Sequence, residues 1–116
     1  MKCTIKIPIY HTSIDFRIVK DIAKCYKRIY KINKYTCDDC SNADGLMFFF
    51  ERDRYYLLLK LDTLRHGLIA HELLHIVDEI KLHHSLSGGE DTARLLEYCT
   101  DAVYKFLYDK GFVVWV

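Results

Sequence analysis

Leu46-Met47-Phe48-Phe49-Phe50 and Tyr55-Tyr56-Leu57-Leu58-Leu59, parted by the charged Glu51-Arg52-Asp53-Arg54, decide the architecture expected of this chain. Both runs are too short for a helix and rich in the residues that suit a pleated surface. The charged residues between them supply a turn, so the pair reads as a hairpin. Downstream, Asp62 or Thr63 can cap a helix that carries Leu68, Ile69, Leu73, Ile76 and Val77 to about Leu82. His83 to Gly89 reads as a loop, and Asp91 or Thr92 starts a third helix that Gly111 stops.

Upstream, residues 2 to 10 alternate, with Cys3, Ile5, Ile7 and Ile9 on one face, and Pro8 cannot donate to a ladder; an edge or terminal strand is expected. From Ile14 to about Lys31, Ile18, Val19, Ile22, Tyr26, Ile29 and Tyr30 recur at helical spacing behind a cap at Thr12 or Ser13. Arg17, Lys20, Lys24, Lys27, Arg28 and Lys31 surround that apolar stripe. The predicted order is β-α-β-β-α-α: a single α+β domain over residues 1–116, with a small antiparallel or mixed three-stranded sheet packed on three helices.

A chain of 116 residues can bury one core but cannot house a catalytic half and a separate substrate-binding half. No apolar run approaches the ~20 residues of a membrane helix, so no membrane partner is expected. The start, Met1 to Ile7, lacks the apolar stretch of a signal peptide, and the five cysteines are an odd number. Reduced thiols and a cytoplasmic location follow as expectations. The net charge of +1 hides a polarised chain, since residues 1–34 hold nine Lys/Arg against two Asp.

The chemistry concentrates in His71-Glu72-Leu73-Leu74-His75. Histidines four apart on a helix project from one face, so both imidazoles can grip one zinc ion, with the intervening glutamate beside the water that zinc would hold. Catalytic zinc needs a third protein ligand and an open position. Glu97 on the third helix is the candidate, and Asp101, one turn later, can accept a hydrogen bond from a ligand imidazole and fix its tautomer. Zinc held in this way lowers the pKa of its water toward ~7 and polarises a carbonyl. Glu72 is then placed to take the water's proton and return it to a leaving amine, which describes amide hydrolysis.

His71-Glu72-Leu73-Leu74-His75, followed after a loop by Glu97-Tyr98-Cys99-Thr100-Asp101, resembles the HExxH plus ExxxD signature of gluzincin zinc metallopeptidases. The small size is similar to minimal single-domain members and to phage or mobile-element peptidases. The resemblance covers roughly Leu46 to Lys110 and implies a zincin-like fold, one zinc ion on His71, His75 and Glu97, Glu72 as general base, Asp101 behind a ligand, and a peptide or flexible protein segment as substrate. Larger relatives take a transition-state-stabilising His or Tyr from a subdomain this chain lacks. That role stays open among Tyr104, Tyr98, His84, His83 and His66. An extended edge strand aligns substrate in such enzymes, and either Leu46 to Glu51 or Tyr55 to Lys60 can supply it.

The extended HExxHxxGxxH layout is excluded, because Asp78 stands where glycine is required and Lys81 where a ligand is required. A third ligand from His83 or His84 remains an alternative to Glu97. So does a zinc-binding interaction module without turnover, as a mobile-element partner protein would be. Phe112 to Val116 is an apolar tail that can lie in the cleft and keep the enzyme latent. Cys37-Asp38-Asp39-Cys40 has no second CxxC and reads as a loop. The basic side of the first helix reads as a solvated face, and nucleic-acid binding is not expected from it.

Overall fold

A computed structural model describes residues 1–35, 42–86 and 88–116 of the chain. The architecture is α+β, with a four-stranded mixed sheet and three helices. One more strand is present than expected. The segment read as the front of the first helix is a strand: β1, Lys2–Ile7, turns back into β2, Thr12–Val19, and only then does α1 begin, Ile22–Ile32.

The correction has a plain cause in the sequence. Ile14 and Ile18 stand four apart, as on a helix, but Phe16 between them makes the true period two. Ile14, Phe16 and Ile18 are buried while Ser13, Asp15, Arg17 and Val19 alternate on the other side. A 3-10 turn, Pro8–Tyr10, followed by His11 at φ 51° reverses the chain between the strands, pairing Ile7 with Thr12. The cap of α1 is Asp21, not Thr12 or Ser13; its carboxylate accepts the Lys24 N–H at 3.0 Å.

The hairpin forms as expected, with β3, Gly45–Glu51, antiparallel to β4, Arg54–Lys60. Strand β2 pairs in parallel with β4, so the sheet order is β1-β2-β4-β3. Strand β4 is thus internal and β3 forms an edge. Helix α2, His66–His83, and helix α3, Gly89–Asp109, cover one face. There Leu68, Leu73, Ile76 and Leu95 share a core with Ile14, Phe16, Leu57 and Leu59. Helix α1 covers the other face over the hairpin, where Ile22 and Ile29 meet Phe48 and Leu58.

Helix ends differ from expectation by a few residues. Asp62 and Thr63 lie in a 3-10 turn, and α2 starts at His66 behind Arg65, which makes no side-chain cap. The tail supplies the missing acceptor instead. The Trp115 carbonyl accepts the His66 N–H at 2.9 Å, and the Trp115 N–H donates to the Leu64 carbonyl at 2.9 Å. Helix α3 begins two residues before Asp91, and Gly111 at φ 72° follows its end. No helix of the described residues is long and apolar enough to cross a membrane. Cys37 and Cys40 lie outside the described residues.

Candidate metal centre

Helix α2 presents two sides in its middle turns. Leu68, Ile69, Leu73, Ile76, Val77 and Ile80 are buried in the core, while His71, Leu74 and His75 face outward. One helical turn separates the two histidines, and their Nε2 atoms stand 3.2 Å apart with the ring planes at 79°. Two nitrogens each ~2.0–2.1 Å from one tetrahedral zinc lie about 3.3–3.4 Å apart. The pair therefore fits a shared metal; without one, a neutral ring can donate its N–H to the other.

Glu72 occupies the seam between the exposed histidines and the core. It is only 7% exposed, one of two polar or charged side chains in the core of the described residues, and Oε1 lies 4.0 Å from His71 Nε2. Burial raises its pKa, and the neighbouring His71 and His75 act against that rise. Its seat depends on Gly45, a residue that motif reading passes over. A Cβ there would stand 2.9 Å from Glu72 Cγ and 3.0 Å from Leu68 Cδ1. The only signal in the sequence is a glycine at the mouth of an apolar strand.

Strand β3 runs beside α2 in the same direction, with Gly45 against Leu68 and Glu72 and with Phe49 against His83. Gly45, Leu46, Met47, Glu72 and His75 line a small cavity of about 230 Å³. The glutamate, one histidine and an edge strand thus open onto one concavity. Of the two strands expected to offer a substrate edge, the one spanning Leu46 to Glu51 is at the edge; Tyr55 to Lys60 lies inside the sheet.

Glu97 and Asp101 are exposed on α3. A hydrogen bond of 2.6 Å between Tyr104 and His66 Nδ1 sets the register of the α2–α3 hairpin. Both helices rise about 1.5 Å per residue, so seven residues back from Tyr104 brings Glu97 level with Leu73, between His71 and His75. That level is what ideal helix rise gives; the three side chains do not gather. Among the described residues, no three His, Cys, Asp or Glu side chains gather as a metal site would require.

The remaining candidates are engaged elsewhere. Tyr104 stacks on His66 beside the first turn of α2, and burial raises its pKa. Tyr98 donates to the Lys6 carbonyl at 2.6 Å, which ties α3 to β1 at the far edge of the sheet. His83 Nδ1 is 2.6 Å from the Tyr55 hydroxyl, and His84 Nε2 is 2.6 Å from Asp53 Oδ1. His83 also stands eight residues beyond His75, about 12 Å along the helix. Comparison with protein-family models, with curated proteins and with solved structures finds no match for this chain.

Proposed function

We propose that the chain is a zinc-dependent, gluzincin-like metallopeptidase on a zincin-like scaffold. The observation that carries this reading is the 3.2 Å approach of His71 Nε2 and His75 Nε2 beside a buried Glu72. His71 and His75 would hold the ion, with Glu97 the third ligand after its side chain swings across from the neighbouring helix, and Asp101 would orient one of the imidazoles. Bound zinc supplies an acidified water and a Lewis acid for the scissile carbonyl.

Glu72 does the proton work: it takes one from water and hands it to the departing amine. Its burial favours the uptake, because a carboxyl in a drier site holds a proton more readily than one in bulk water. The edge strand β3 gives an extended peptide a ladder to pair with beside the histidines. Substrate on this reading is a peptide or a flexible protein segment.

One observation favours the rival reading, a zinc-binding module without turnover: Glu97 is exposed and apart from the histidine pair. Glu72→Gln separates the two. Zinc retained with cleavage of a casein or peptide-library substrate reduced by about 10²–10⁴-fold supports the peptidase. Cleavage absent from the unaltered chain as well, with zinc bound, supports the module.

A further inference from the structure

A large concavity among the described residues lies away from the histidines. Helix α1 packs mainly over the β3–β4 side of the sheet and meets β2 at Val19, and a groove opens where it borders β1 and the end of β2. The resulting groove, about 830 Å³, draws cations from three elements: Lys2 on β1, Arg17 on β2, Lys20 after it, and Lys24 and Arg28 on α1. Part of the basic face that reads as solvated in the sequence, Arg17, Lys20, Lys24 and Arg28, lines a concave surface.

Nearby acids leave that charge largely unbalanced. Asp15 is held by Arg17 in a two-pronged contact at 2.8 and 3.1 Å, and Asp21, which caps α1 from within the lining, offsets one charge against the five cationic side chains. Lys2, Lys20, Lys24 and Arg28 have no ion-pair partner among the described residues. The rest of the lining includes apolar Val19, Leu61 and Phe112. Four unpaired cations around an apolar wall suit a ligand with phosphate at one end and a flat, weakly polar group at the other.

We propose that this groove binds a phosphorylated ligand of the nucleotide class, its phosphates on Lys24, Arg28 and Lys2 and its base against Val19, Leu61 and Phe112. A volume of about 830 Å³ admits such a ligand with room to spare. The site is independent of the zinc reading. Phosphate chemistry is shared by free nucleotides and single-stranded nucleic acid, and the size of the preferred ligand tells the two apart.

The test is titration with a fluorescent adenosine triphosphate analogue in about 0.1 M salt. Saturable binding is expected, displaced by inorganic pyrophosphate, weakened at least about tenfold in K24Q/R28Q, and unchanged in H71A. A short oligodeoxynucleotide that binds more tightly than the mononucleotide assigns the groove to a nucleic-acid backbone; equal or weaker binding assigns it to free nucleotides. K27Q/K31Q, which removes exposed α1 charges outside the groove, should leave affinity unchanged. No saturable binding, no displacement by pyrophosphate, or equal weakening by K27Q/K31Q and K24Q/R28Q overturns the proposal.

Discussion

Two pairs of histidines, one in the middle of α2 and one at its C-terminal end and cap, are treated in opposite ways by the fold. At the C-terminal end, His83 is locked between the Tyr55 hydroxyl and Glu79, and His84 joins Asp53, which also accepts from Thr12 at 2.9 Å. These rings tie the end of α2 to the β3–β4 turn and the start of β2. Arg52 adds a hydrogen bond to the His83 carbonyl, and Asp53 holds the turn at φ 69°. In the middle of the same helix, His71 and His75 lean on each other in the open, with a buried carboxyl at their base. The difference separates histidines bonded to side chains of other elements from an exposed pair whose hydrogen bond is to each other.

The contrast breaks most readily at the metal. His75→Ala is expected to lower zinc affinity by more than about 100-fold, whereas His84→Ala leaves it unchanged, as competition against a chelating dye can show. Equal losses would mean that the two pairs share one role. Next in size is Gly45→Ala, whose added carbon presses on Glu72. Peptide cleavage should fall by about 10²-fold while zinc stays bound. Intact kinetics in that variant would remove Glu72 from the chemistry or show its seat to be yielding.

The structural pair answers to stability instead. Burial works to raise the pKa of Asp53, but the hydrogen bonds with His84 and Thr12 outweigh it and hold the carboxyl below its usual value. A carboxyl depressed on folding stabilises fully above its unfolded pKa of about 4 and loses that contribution as pH falls through the lower folded value. Asp53→Asn should therefore cost about 1–3 kcal/mol in thermal unfolding at pH 7, with the gap to the parent closing in acid and zinc affinity unaffected. Smallest is Tyr104→Phe, which removes the bond to His66 and should cost about 0.5–1.5 kcal/mol. A fall in turnover far beyond that, at constant zinc and KM, would assign Tyr104 to the transition state.

Much of this layout is legible in the residues themselves. The hairpin, the motif helix and the last helix follow from run length, apolar spacing and Gly111. Strand β2 is hidden because Ile14 and Ile18 satisfy both periods, and Phe16, buried with them on the same face, is what decides for period two. His71, Glu72 and His75 can be placed from spacing alone, since a helix fixes what four residues apart means. Gly45 cannot, because its importance arises from the approach of β3 to α2 in space. Nor can sequence distinguish His84 from His75. Only the fold shows that Asp53 reaches one and that, among the described residues, no acid makes a comparable contact with the other.

The central question is where one zinc ion settles. A structure of the zinc-loaded protein, with anomalous data at the zinc edge, should show a single ion on His71 Nε2 and His75 Nε2 with Glu97 drawn in as third ligand and Glu72 beside the open position. An ion on His83 or His84, or no ordered ion at saturating zinc, would contradict the metallopeptidase reading at its root.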